Sequence, residues 1–466
     1  MKGLKNCFAF IFLIMISFSL FACAKSDADD EIIINEPNIT MQFDSWLDSE
    51  KEECNVEAYY DDSLFEKDAT KFDKDIVMLS YMMSLYGDNC YRCEGGAYVA
   101  EFFSKIGFDN FYISPVFREG SSEQSIGFVI ARKRIVEKST NKSFDIVAIC
   151  VRGFDYGLEW VNNFAIGQCG NHSGFDECAN KVLLQFNEYI SNLQSENVKL
   201  WISGYSRGGA VANVLASKIL SDDKWVDNKS NIFVYTFDAP RGLTKANAVA
   251  YENVFNIINL SSPIAYFAPS KYGLYRCGID IDIYTDDLID ILEECGSVKL
   301  PKFKKTWEYE SPKEFAQFLY KAIFKSRSSS IFVSKKDLID ISTRENYYNN
   351  LESTIRYAIN FWFSMSYSTT SNILNAISDM SVLDYIGLIN ADRLYNFLVP
   401  FIENDNNLNY NDEELKFHIN TIINFALSNE EIIRDLKNVI TNVVFMASMH
   451  FPDTNYYLLK HYLTTI

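Results

Sequence analysis

Val198-Lys-Leu-Trp-Ile-Ser-Gly-Tyr-Ser-Arg-Gly-Gly-Ala-Val-Ala-Asn213 decides the fold. Its first six residues, Val198 to Ser203, form an apolar run of strand length, the pattern of a strand buried on both faces. Gly204-x-Ser206-x-Gly208 follows at once, and the small residues Gly208, Gly209, Ala210 and Ala212 then open a helix. A strand, a tight glycine-bounded turn holding a serine, and a helix make a nucleophile elbow. The turn lifts the Ser206 hydroxyl clear of the sheet edge. Glycine is needed on both sides because a Cβ there would meet neighbouring backbone. The Arg207 N–H, at the helix start, can face an oxyanion.

Working outward, the same alternation continues on both sides. Asp145–Val151, Asn231–Phe237 and Val254–Asn259 are further apolar runs rich in β-branched residues, and Phe175–Leu193 and Ala210–Leu220 have helical periodicity. Strands alternating with helices predict a mostly parallel sheet with right-handed crossovers, an α/β fold. Ser125–Ile135 predicts one more strand. Ile76, Leu79, Met82, Met83 and Tyr86 predict a core helix upstream, as do Val99, Phe102, Phe103 and Ile106. Residues 285–440 are low in Gly and Pro and helical in period, as at Phe315, Phe318 and Ala322 or Ile355, Ala358 and Ile359. They predict an all-helical insertion, with 71–284 and 441–466 forming the core around it.

The whole chain has 466 residues, 48% hydrophobic and 23% charged, which is ordinary globular composition. A net charge of −19 repels phosphate backbones and argues against nucleic-acid binding. Four histidines (His172, His418, His450 and His461) leave little room for a metal site and few general bases. Lys2 and Lys5 precede an apolar run, Phe8–Phe21, too short to span a membrane comfortably. Residues 1–22 therefore read as a signal peptide. The run ends Leu20-Phe21-Ala22-Cys23, which resembles a bacterial lipoprotein box, so Cys23 is the expected lipidation site. Residues 23–70, acidic and without clear period, read as a tether from that anchor. Export would permit disulfides. Cys169–Cys178 and Cys277–Cys295 are the plausible local bridges, Cys90 and Cys93 a tight structural one, and Cys150 a buried free thiol.

Ser203–Asn213 resembles the elbow of class 3 lipases, a branch of the α/β-hydrolases. Other segments agree in order. Ala148–Gly153 with Glu159-Trp160 and Asn163-Phe164 resembles that family's strand ending in Arg-Gly and its loop. His172-Ser-Gly-Phe175 resembles a helix start, Tyr235–Arg241 a strand ending in a Pro-Arg turn, and His450-Phe-Pro-Asp453 the segment of the catalytic His. The likeness covers about 72–284 and 440–466 and leaves out the tether and the insertion. It implies an α/β-hydrolase fold with Ser206 as nucleophile and His450 as general base. It implies the Arg207 N–H as one oxyanion donor and Gly153 or Phe154 as the second, with no cofactor and no metal. His172 would be structural.

One position departs from the pattern. The family's acid belongs in the turn Asn259-Leu-Ser-Ser-Pro-Ile264, where Ser262 stands in its place. Ser cannot supply the charge that stabilises an imidazolium. Asp238 at the end of the preceding strand, Asp280 after the turn at Gly278, or an incomplete triad remain, with Asp238 favoured. The expected function is a serine carboxylic-ester hydrolase of the cell envelope acting on acylglycerol or phospholipid-type esters, its insertion forming a cap. The rival is an impaired homologue kept as a binding or structural envelope lipoprotein.

Overall fold

The computed structural model describes residues 35–43, 54–88, 97–285 with short gaps, parts of 352–427, and 449–466. The signal peptide, Cys23, Cys90, Cys93, Phe154, Cys295 and most of 286–351 lie outside the described residues.

A seven-stranded sheet carries the fold. Its order is β11 (Ile279–Ile283), β9 (Val254–Asn259), β7 (Ile232–Phe237), β6 (Val198–Tyr205), β5 (Ser143–Val151), β4 (Phe128–Val136), β3 (Asp109–Ile113), while β8 (Leu243–Thr244) and β10 (Leu274–Tyr275) pair separately. From β5 to β11 all neighbours are parallel, while β4 and β3 add an antiparallel edge. This is the mostly parallel, helix-flanked sheet of an α/β-hydrolase fold. Apolar runs form its centre because both faces are covered. Along β6, Leu200 and Ile202 point to one side and Trp201 and Tyr205 to the other.

Two helix layers cover those faces. On one, α3 (Ser173–Ser191) packs beside α4 (Ser206–Leu220). The other holds α1 (Lys74–Asp88), α2 (Ala97–Lys105) and α8 (Pro452–Thr465). Small serines let α1 lie close to β6 with no polar group wasted. Trp201 Nε1 donates to Ser80 Oγ at 2.7 Å, and Ser203 Oγ donates to Ser80 O at 3.0 Å.

The tether reading of 23–70 needs correction for its described part. β1 (Ile39–Phe43) and β2 (Cys54–Ala58) form an antiparallel hairpin, followed by a 3-10 turn at Asp62–Glu66. Met41, Phe43, Val56, Leu64 and Phe65 are buried in the main core, and the Phe65 ring sits 5.2 Å from Trp201. The short alternation Ile39, Met41, Phe43 was masked by acids gathered between the two strands. The Cys169–Cys178 bridge is also corrected. Cys178 on α3 turns inward and is buried, whereas Cys169 faces solvent, and both are free. Cys277 is a free, buried thiol donating to Asn213 O at 3.4 Å, and Cys150 is a buried thiol donating to Met83 O at 3.2 Å.

Described parts of the insertion are helical: α5 (Ser353–Ser364), α6 (Ala391–Ile402) and α7 (Asp412–Leu427). They have a small core of their own around Met365, Ile402, Leu415 and Ile419. Ile355 of α5 joins the main core, and α5 packs on the turn Gly157–Phe164 that follows β5. Within the insertion His418 stacks on Tyr357 at 4.1 Å, and its Nδ1 meets Thr354 Oγ1 at 3.0 Å. Burial holds its pKa below the ordinary 6.5.

Two outcomes follow. Phe65→Ala lowers unfolding free energy by about 3–5 kcal/mol, the cost of emptying a buried aromatic site, in chemical denaturation. A tether residue would cost nothing. With its folded pKa below 6.5, His418 binds a proton more readily when unfolded than when folded. Its contribution is therefore full above that pH and declines as pH falls. Amide protection factors in α5 and α7, corrected for the intrinsic pH dependence of exchange, fall on acidification, and His418→Gln flattens that response.

Candidate active site

At the carboxyl end of β6 the chain turns straight into α4, with Ser206 at φ +54°. That left-handed backbone costs a non-glycine residue roughly 1–2 kcal/mol. It is held by contacts that only glycine permits. A Cβ on Gly208 would fall 2.3 Å from Val151 O, and one on Gly153 would fall 1.8 Å from Tyr205 O. The strand end of β5 thus lies directly against the elbow. Arg207 sits in the first turn of α4, where helix amides carry partial positive charge. Phe154, the other expected donor, lies outside the described residues.

His450 reaches Ser206 from 244 positions away. Its Nε2 is 2.8 Å from Ser206 Oγ, and its Nδ1 is 2.5 Å from Asp238 Oδ2. The Asp238 carboxylate can only accept at Nδ1, and the Ser262 hydroxyl, able to donate or accept, also lies 3.0 Å from it. The proton therefore sits on Nδ1, which leaves Nε2 to accept from the Ser206 hydroxyl. All four side chains are buried, Ser206 being 6% exposed and Asp238 1%.

The segment bearing His450 is tied from several sides. Tyr205 OH donates to His450 O at 2.7 Å, and Tyr81 OH donates to Pro452 O at 2.6 Å. Asn259 Nδ2 donates to Met449 O at 2.8 Å, and Asn455 Nδ2 donates to Tyr205 OH at 2.8 Å. Sequence reasoning passed over Tyr205, Asn259 and Asn455. Separations of up to 250 residues leave no spacing that would have found them.

The two candidate acids part company here. Asp238, at φ +47° after β7, is anchored by its N–H to Ile257 O at 2.8 Å and reaches the imidazole. Asp280 does not. It pairs with Arg276 Nη1 at 3.0 Å and accepts from Asn256 Nδ2 at 3.0 Å, half exposed. Arg276 is itself a clamp. Its Nε donates to Ala239 O at 2.7 Å and its Nη2 to Ala265 O, so it joins the two loops that bring Asp238 and Ser262 to His450. His172 is structural. It caps α3, its Nδ1 accepting from Phe175 N at 3.4 Å.

Behind the elbow lies a buried charge cluster. Glu159 receives Arg152 Nη2 at 2.6 Å and Arg207 Nη1 at 2.7 Å, and Ser125 Oγ donates to it at 2.8 Å. Arg207 also reaches Cys178 Sγ at 3.2 Å, where burial pushes the thiol up and keeps it neutral. Among the described residues no group of three or more His, Cys, Asp or Glu is arranged to hold a metal ion.

Residues 135–271 match the family model of class 3 lipases. Among solved structures the chain is similar to a fungal lipase in complex with an inhibitor, at 19% identity over 47% of this chain and 83% of that one, TM-score 0.33. It is also similar to the lipase of Rhizopus microsporus var. chinensis, at 16% identity over 46% and 77%, TM-score 0.33. A third is lipase II of Rhizopus niveus, at 13% identity over 45% and 81%, TM-score 0.31. Among curated proteins none matches this chain.

Asp238→Asn is expected to lower kcat by about 10³–10⁴, the cost of a misoriented imidazole without its counter-charge. Asp280→Asn stays within about fivefold, because a half-exposed pair is worth roughly 1 kcal/mol at most. Ser262→Ala, which removes one neutral hydrogen bond, falls between them at about five- to tenfold. Steady-state kinetics on a soluble ester separates the three, and equal losses for Asp238→Asn and Asp280→Asn would refute the assignment.

Proposed function

We propose that this chain is a serine carboxylic-ester hydrolase of the lipase and esterase type. The observation that carries the reading is His450 hydrogen-bonded to Ser206 on one nitrogen and to Asp238 on the other. The match of residues 135–271 to the class 3 lipase model supports the same chemistry. Ser206 Oγ attacks the acyl carbonyl carbon while its proton passes to His450 Nε2. Negative charge gathers on the carbonyl oxygen, facing the Arg207 N–H and a second donor at Gly153 or Phe154. Collapse breaks the bond to the alcohol, which takes the proton from His450. Water repeats the sequence on the acyl-enzyme and releases the acid. Asp238 keeps Nδ1 protonated and stabilises the imidazolium.

The impaired-homologue reading rested on the missing acid at Ser262. Asp238 on the same imidazole nitrogen favours an active enzyme instead. The substrates we assign are acylglycerol or phospholipid-type esters, with the insertion as cap, because α5 lies against the turn after β5. Among the described residues no helix is long and apolar enough to cross a membrane. Attachment would come from a lipid on Cys23, at the cell envelope.

The test is hydrolysis of chromogenic esters of increasing chain length and of emulsified phospholipid by protein lacking residues 1–23. Ester turnover that disappears in Ser206→Ala supports the reading, and the preferred length separates esterase from lipase. Silence of the wild type on every ester refutes it. For the full-length chain, Cys23→Ala is expected to move the protein from the membrane fraction to the soluble one.

A further inference from the structure

Both walls of the oxyanion site lead back to one buried carboxylate. Arg207 contributes its own backbone N–H in the first turn of α4, and Arg152 immediately precedes Gly153. Their guanidinium groups meet on Glu159, Arg207 Nη1 on Oε2 at 2.7 Å and Arg152 Nη2 on Oε1 at 2.6 Å. Glu159 is fully buried, and the two arginines nearly so. Ser125 completes the set. Its Oγ donates to Glu159 Oε1 at 2.8 Å, and its carbonyl accepts from Arg207 Nη2 at 2.9 Å. The Arg152 guanidinium is packed over the Phe117 ring at 4.8 Å.

The ester hydrolysis proposed above needs none of these side chains to touch substrate. Nor does stability require a buried ion set, since apolar residues of like volume commonly serve as well. What the carboxylate does do is geometric. Each of its oxygens holds a rigid, planar fork, and each fork belongs to a different piece of chain. One is the helix start after Ser206; the other is the end of β5. The same two pieces touch through Gly153 and Gly208, where no Cβ can intrude.

We propose that Glu159 is a positioning residue that sets the distance between the two halves of the oxyanion site by bridging Arg207 and Arg152. The proposal rests on the ester-hydrolase reading. It adds that transition-state stabilisation, rather than substrate binding, depends on a residue remote from the reacting atoms. Donors aimed at a developing charge lose effect when displaced by a fraction of an ångström, and a misplacement near 1 Å costs about 100-fold.

Glu159→Gln tests it. An amide can accept from one guanidinium but must turn its N–H groups toward the other, so the bridge opens on one side. kcat is expected to fall about 10- to 100-fold with KM within about twofold. The diagnostic readout is the rate ratio between an ester and its thionoester, in which sulfur replaces the carbonyl oxygen. A well-set site strongly prefers oxygen. The ratio is expected to shrink toward unity in Glu159→Gln and to stay at the wild-type value in Asp280→Asn. A loss of folded protein alone would lower both rates together and leave the ratio unchanged. Should Glu159→Gln fail to fold, Ser125→Ala removes one hydrogen bond from the carboxylate with the charges intact, and it should shift the ratio the same way by less. An unchanged ratio in whichever variant folds overturns the proposal while ester hydrolysis by the wild type stands. A wild type without esterase activity overturns both.

Discussion

Everything about the site depends on how closely backbone can approach backbone where β6 becomes α4. Gly153, Gly204 and Gly208 let three chain segments meet so closely that an added Cβ would fall 1.8 Å from Tyr205 O at Gly153, 2.3 Å from Val151 O at Gly208 and 2.4 Å from Gly208 O at Gly204. That contact forces the turn, and the turn holds Ser206 at φ +54° with its hydroxyl off the sheet edge. The strain is sustained because a large core surrounds it. Apolar strands fill both faces of the sheet, and helices cover each face.

A second layer of organisation acts at longer range. Three strand ends converge above the sheet: β6 with Ser206, β7 with Asp238, and β9 with the turn bearing Ser262. Neighbouring parallel strands end side by side, so a residue just past one strand can stand in for a residue just past the next. Here the imidazole meets a carboxylate from the β7 end at 2.5 Å and a hydroxyl from the β9 end at 3.0 Å. Arg276 binds the two loops together, with Asp280 as its counter-ion. The carboxylate that meets His450 Nδ1 therefore comes from a different strand end from the one the class 3 lipase pattern points to.

Two sets of buried charge among the described residues are held in ion pairs. Glu159 with Arg152 and Arg207 sits behind the elbow, and Asp145 holds Arg132 at the outer strands. Unpaired, each of these groups would cost several kcal/mol. Paired, they are held by charge-assisted hydrogen bonds, one from each arginine to its own oxygen of Glu159. The Glu159 cluster lies directly behind the elbow, one of its arginines following Ser206 and the other following β5.

The parallel sheet, its flanking helices, the elbow at Ser206 and the candidate base His450 were all legible in the sequence. The first three are written in local pattern: apolar runs of strand length, helical period, and glycines bounding a serine; His450 came from the resemblance of its segment to that of the class 3 lipase catalytic His. The sequence left Asp238, Asp280 or an incomplete triad, with Asp238 favoured, and telling them apart needed the third dimension. The choice turns on which carboxylate lies within hydrogen-bond reach of an imidazole more than 150 residues further along the chain. The packed hairpin at 39–58 was hidden because an acidic average drowned a short alternation. The failed Cys169–Cys178 pairing shows the same limit, since spacing says how far two thiols can reach and says nothing about which way α3 turns them. Local periodicity is set by each residue and its near neighbours, so one dimension records it. Convergence of strand ends, ties to the His450 segment and the bridge at Glu159 arise only when sheet twist and core packing fix distant segments together.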